Sequence, residues 1–331
     1  MKIRRLLYLS SSIMVSLSSL LVINFGRAFA VANNCTWTGA SSNNFNDATN
    51  WSSCNSTVPQ TGDNLVFDNT SLGADATVNN DMTGLSAGSI VLNGSGDFGF
   101  ILTGNPLTVT GGISNSASST SSLELDMALT LTGDQTITAT PGGGNFITFG
   151  DYSSPSTLNI GTSNITISQA TVQANDAISG SGSITTSTPV ALAGDNSGYS
   201  GDITINSGGE ILVMTSTSPF GSGAVTVNSG ASLYFALPGD TTVANDITLS
   251  GTGVDQSTGT LQNADFIHFG PGNGPANGGK LTLSGTVTLS SDVVYSGDLA
   301  TGITGTYTPN GHTISVLAGA QGTITTPSGT V

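Results

Sequence analysis

Side chains able to do chemistry are sparse in this chain, so each can be weighed singly. The closest pair of acids on one strand is Glu124 and Asp126, within SLELDMALTLTG. At i and i+2 of an extended segment they share a face with Cα atoms about 6.7 Å apart, a distance compatible with paired acid and base work on a glycoside. The plainer reading is a solvated strand face, because twenty acidic residues generate such pairs by chance. His268 in IHFG and His312 in NGHT lack basic neighbours and read as turn or surface histidines rather than general bases. Cys35 and Cys54 are the only cysteines; a disulfide is the simplest use of them, and a metal site or catalytic thiol lacks a nearby histidine. Trp37 and Trp51 fall within the same loop, either to stack on a sugar or to close the end of a core. The run from Asp195 to Asp202, DNSGYSGD, sets oxygen donors among glycines without the spacing of an EF-hand. It is compatible with weak calcium binding by an acidic surface, and no dedicated cofactor is expected. Gly142-Gly-Gly144 and PGNGPANGG, from Pro271 to Gly279, are turns or inserts with no phosphate-binding lysine in P-loop spacing. Serine and threonine are abundant, but none stands in a nucleophile motif with partners.

The charge balance excludes whole classes of function. Lys and Arg number 5 against 20 Asp and Glu. Four of the cations, Lys2, Arg4, Arg5 and Arg27, lie in the first thirty residues, so the remainder holds Lys280 alone. Nucleic-acid binding needs several cations at phosphates, and attraction to an anionic membrane needs the same, so neither partner is expected. Lyases acting on uronates, common on parallel β-helices, need a cationic base and cationic clamps, and are excluded by the same absence. Hydrophobic residues make up 37% and charges are few, which argues for a folded chain.

Residues 1–30 read as an export signal. Three cations precede an apolar stretch from Leu6 to about Ile23, and Ala28-Phe29-Ala30 supplies a small-x-small site, with cleavage after Ala30. An uncleaved anchor helix is the alternative, weakened by the serines within the stretch. Secretion or a bacterial cell surface is the expected location.

The elements that must position these side chains are short strands. A four-residue core, x-[ILV]-T-[ILV], begins at 106, 128, 164, 202, 224, 246 and 280. Its clearest copies, DITINSGGEILV from Asp202 and AVTVNSGASLYF from Ala224, lie twenty-two residues apart; the longer gaps are read as one period plus an insertion. Within each unit the hydrophobic period is two: Leu123, Leu125, Met127, Leu129 and Leu131 share one face. Asn-Ser-Gly and Gly-x-Gly turns separate the strands. A period of about twenty-two suits one turn of a β-solenoid, with a β-sandwich as the alternative. Residues 31–85 are assigned to an N-terminal cap holding the Cys35–Cys54 loop, and 86–331 to a β-helix of about eleven coils. Asn206 and Asn228 should form one rung of a side-chain ladder.

The stretch from Ile178 to Phe235 resembles the autotransporter-associated β-strand repeat of bacterial surface passengers. The likeness lies in NSGYSGDITINSGGEIL, in a small-residue loop ending Phe220-Gly-Ser-Gly, and in a second strand ending in GASL. It covers about 60 residues, and CTWTG, ATNW and VPQTGDNLVF between Cys35 and Asp68 are similar to openings that precede such repeats. The resemblance implies a right-handed parallel β-helix displayed at, or shed from, a bacterial surface. Autotransporters also carry a carboxyl-terminal translocator barrel, a pattern not seen before Val331, so a passenger-like module held by other means, or part of a longer chain, is expected.

The expected function is therefore a non-catalytic structural or adhesive module. Its inserts near 140–156 and 262–279 would make contacts, and its C-terminal solenoid end would allow self-association. A carbohydrate-active protein, acting through the Glu124/Asp126 face or the tryptophans, is the alternative.

Overall fold

The computed structural model describes residues 32–55, 57–140, 145–151, 155–214, 218–237, 240–254, 260–265, 280–297, 300–317 and 322–330. Within Asn33–Val331, a single compact unit, the chain winds as a parallel β-solenoid with three faces. Residues 1–30, read as an export signal, together with His268, Gly142–Gly144 and the Pro271–Gly279 run, lie outside the described residues.

Each strand pairs with the strand one coil earlier and one coil later. On the first face the inward position runs Cys35, Leu65, Ile90, Ile113, Ile137, Ile167, Thr186, Ile205, Val227, Leu249 and Leu289, every neighbour in register with the next. At a strand spacing of about 4.8 Å, these ten steps make a stack about 50 Å long. The second face carries a parallel column: Val78, Leu102, Leu125, Phe149, Ala174, Leu192, Val213 and Phe235. The third face is built in two blocks, from Ser86–Ala87 to Ala177–Ser179 and from Thr241–Val243 onward. Between them the bridge of Gly180 with Tyr199 continues the wall, and Tyr199 and Phe220 fill the corner from inside. The strand residues alternate in and out, which is why a period of two marks every unit. Thr186 is the one polar member of the first column, and its hydroxyl donates to the Thr188 carbonyl at 2.8 Å.

The parallel pairing settles the fold against a sandwich. Among the described residues the antiparallel pairings are two, at the ends of the stack: Asn34–Trp37 with Trp51–Ser52, and Ile324–Thr326 with Gly329–Thr330. The strands Asn64–Asp68 and Ala76–Asn80, inside the stretch assigned to the cap, pair in parallel with the next coil, so the stack reaches into that stretch. Nine turns follow Ile90, the last through the pairing of Val287 with Tyr307, where about eleven were expected, because coil length varies from 18 residues (Ala174 to Leu192) to 40 (Leu249 to Leu289). The x-[ILV]-T-[ILV] core also marks two faces rather than one. The copies at 106, 128 and 280 form third-face strands, and those at 164, 202, 224 and 246 form first-face strands. An in-out-in triplet reports burial but not which wall it belongs to: the gaps from 128 to 164 and from 246 to 280 come from a change of face, whereas that from 164 to 202 spans two coils whose middle strand, Ile184–Thr186, lacks the final aliphatic residue. Residues Leu261–Asp265, read as the start of an insert, continue the second face against Ser232–Leu237.

Polar side chains hold the coils in register. Asp134, Asp202 and Asp246 stand just before first-face strands, and each Oδ1 accepts the N–H of the equivalent residue one coil on, at 2.9, 2.9 and 2.8 Å. Asp75, Asp240 and Asp292 do the same for Gly99, Lys280 and Thr313. Buried asparagines close the corners; Asn196 accepts from Ile178 N and donates to Pro219 O. Gly182, Gly201 and Gly223 stack at another corner, where a Cβ on Gly201 would fall 1.9 Å from the Gly182 carbonyl. The expected ladder exists: Asn228 Nδ2 donates to Asn206 Oδ1 at 2.9 Å.

Candidate functional site

Four acidic residues, Glu124, Asp126, Asp151 and Asp176, gather on the second face. Leu123 and Leu125 point into the core and thereby fix Glu124 and Asp126 on the outer side of Ser122–Asp126. Register carries the same corner upward: Leu125 lies opposite Phe149, and Phe149 opposite Ala174, so Asp126, Gly150-Asp151 and Asp176 occupy the ends of three successive coils. Asp126, Asp151 and Asp176 are spaced at twenty-five residues, one local coil. That interval is legible in the sequence, although Asp151 and Asp176 sit outside the x-[ILV]-T pattern.

Crowding sets the protonation of this column. Burial, then the charge of Asp126, raises the Glu124 carboxyl. Burial, then the charge of Asp151, raises Asp126. Asp176 is wholly buried, and burial pushes it up to about 6, against a hydrogen bond from Ser156 N that favours the charged form. Paired glycosidase carboxyls stand about 5 Å or more apart so that substrate or water fits between them. Glu124 and Asp126 are neighbours on one strand face, each raised by burial first, and neither lines the cleft that Ser156 and Asp195 border. Beside the column, Ser156, Asn175, Gly194 and Asp195 border an open cleft of about 390 Å³.

The tryptophans are used by the fold. Trp37 and Trp51 meet edge-on at 5.0 Å, Phe45 packs on Trp51 at 5.1 Å, and Phe67 passes the contact to Phe100 at 5.2 Å. Trp37 is 7% and Trp51 6% exposed, and Trp51 Nε1 donates to the Phe45 carbonyl, so neither ring offers a face to a sugar. Asn50, buried before Trp51, accepts from Ser41 N and Ser42 N and donates to Asn44 O. Cys35 and Cys54 are bonded to each other. Asp63 approaches Cys35 Sγ at 3.5 Å, but disulfide sulfurs are not thiolates, and the Asp63 oxygens already accept from Asn33 N and Gln60 N.

The Asp195–Asp202 run is likewise structural. Its donors point apart: Asp195 caps Ser197 N, Asn196 turns inward, and Asp202 reaches Ala224. Tyr199, buried at the corner, donates its hydroxyl to Gly182 O at 3.0 Å, and burial raises its phenol. Tyr199, Gly201 and Asp202 thus give the Y-S-G-D-I-T-I string a packing purpose that its resemblance to a repeat did not disclose. His312 sits in the turn after Tyr307–Thr308, 3.8 Å from Asp292, whose carboxyl is held low chiefly by the Thr313 N–H. Among the described residues no helix is long and apolar enough to cross a membrane.

No family model, no curated protein and no solved structure matches the chain.

Proposed function

We propose that the chain is an exported, non-catalytic β-solenoid of the bacterial surface or surrounding medium, serving as a structural or adhesive module of the passenger type. The observation that carries this reading is where the chemistry-bearing residues go. Six aspartates clip one coil to another, the tryptophans and the disulfide close one end, and the tyrosine and asparagines of the repeat latch its corners. A rigid stack of this kind presents corner loops at fixed intervals while committing its polar groups to its own register. The export-signal pattern at residues 1–30 and the resemblance of Ile178–Phe235 to surface-passenger repeats support the same reading.

The test is to express the full chain from its own leader in a Gram-negative host and to sequence the amino terminus of the product. Export predicts a chain beginning at Val31, recovered from the surface or medium. A product retaining Met1 inside the cell contradicts it.

A further inference from the structure

Two side-chain oxygens of the acidic column are buried without a hydrogen-bond partner, Asp126 Oδ1 and Asp176 Oδ2. A buried carboxylate lacking a partner is costly, and beyond residue 27 the sequence supplies Lys280 as its only lysine or arginine to neutralise one. Gly150 follows Phe149 on the middle coil, next in register after the Leu125–Phe149 pair, so it lies opposite Asp126. Asp176 comes from the coil above and folds its carboxyl back over Gly150, where a Cβ would fall 2.0 Å from Asp176 Oδ1. Gly150 therefore leaves free the space that the buried carboxyl of Asp176 occupies, and its N–H donates to the Leu125 carbonyl, which sets it beside Asp126, whose charge acts on Asp176. Asp151, whose charge acts on both Glu124 and Asp126, and Glu124, beside Asp126 on the same strand face, add negative charge around it.

We propose that Asp126 and Asp176 bind a divalent cation of the calcium type across Gly150, with Glu124 and Asp151 supplying its surrounding field. Calcium accepts hard oxygen ligands from carboxylates, main-chain carbonyls and water in flexible number, which two carboxylates at a coil corner can begin to satisfy. With two direct carboxylates the affinity belongs in the range of roughly 10⁻⁴ to 10⁻³ M found in extracellular modules. The ion would clamp three coils, and it is separate from the Asp195–Asp202 run, whose donors are spent on the backbone.

The experiment uses calcium itself, added to chelator-stripped protein spanning Val31–Val331 and followed by calorimetric titration and by the unfolding temperature at pH 7.5 and pH 5. The expected result is one saturable equivalent, a rise in unfolding temperature, and at least tenfold weaker binding at pH 5, where protons compete. The double variant D126N/D176N should lose binding at least tenfold, whereas D195N should bind as the parent does. Three results overturn the proposal: no saturable binding up to 10 mM calcium, undiminished binding in D126N/D176N, or loss of binding in D195N. If the double variant does not fold, the wild-type pH comparison decides, because binding equal at pH 5 and 7.5 is incompatible with ligands that must lose their protons.

Discussion

At the scale of single residues, Asp176 makes the sharpest claim. Its folded-state pKa of about 6 lies above the ordinary carboxylate value, so the native state binds this proton more tightly than the unfolded chain does. The resulting stability is complete below about pH 4 and is lost as pH rises through about 6. Without calcium, Asp176→Asn should stabilise the protein at pH 7.5 by up to about 3 kcal/mol and change little at pH 4, as read by urea unfolding at the two pH values. A variant less stable than the parent at pH 7.5 would show that the charged form is favoured in the fold. Glu124 and Asp126, raised by burial first, contribute in the same direction. Asn196 tests the opposite kind of polar group. Replacing it by alanine strands Ile178 N–H and the Pro219 carbonyl in the interior, at a cost of about 3 kcal/mol in the same assay. The sequence made Glu124 and Asp126 visible because they share one strand, but the acids above them depend on a register that a single strand does not encode.

At the scale of elements, the closed end and the corners bear the load. The Cys35–Cys54 bridge closes a loop of nineteen residues' separation, worth about 3 kcal/mol in a chain-entropy account. Trp51→Ala should cost about 4 kcal/mol, since it removes a ring that touches Trp37, Phe45 and Phe67. Its effect should appear as a lowered unfolding midpoint. Loss of ligand binding with stability unchanged would instead assign Trp51 to recognition. Gly201→Ala, placed where a Cβ meets the Gly182 carbonyl at 1.9 Å, should cost about 3 kcal/mol, and a neutral result would mean that the corner relaxes. The strands themselves were legible, because alternation such as Leu123, Leu125, Met127, Leu129 and Leu131 needs only local order. Their assignment to faces was not. KLTL and DITL look alike as strings, yet Leu281–Leu283 belongs to the third face and Ile247–Gly251 to the first, a difference fixed by the turns between them.

At the scale of the whole molecule, a parallel stack with continuous inward columns explains how a chain with 45 glycines and 8% charged residues folds. Every coil buries its aliphatic positions against two neighbours, so few residues per turn are enough. The twenty-two-residue repeat disclosed this architecture because three of its consecutive copies occupy the same face, whereas the 19- and 40-residue coils hid the true number of turns. Near-absence of lysine and arginine also makes a displayed rod resistant to trypsin-like proteases. In the chain beginning at Val31, trypsin has one available site, after the exposed Lys280, and digestion should give at most two fragments by mass spectrometry.

A displayed scaffold whose polar groups serve its own register is tested most directly by screening the protein spanning Val31–Val331 against neutral glycans, for binding and for depolymerisation, with and without calcium. The scaffold reading predicts no sugar release, and no adhesion that depends on Glu124, Trp37 or Trp51. Turnover of a glycan that disappears in Glu124→Gln, while the β-rich circular dichroism spectrum and the unfolding midpoint stay at parent values, would contradict it and move the protein to the carbohydrate-active class.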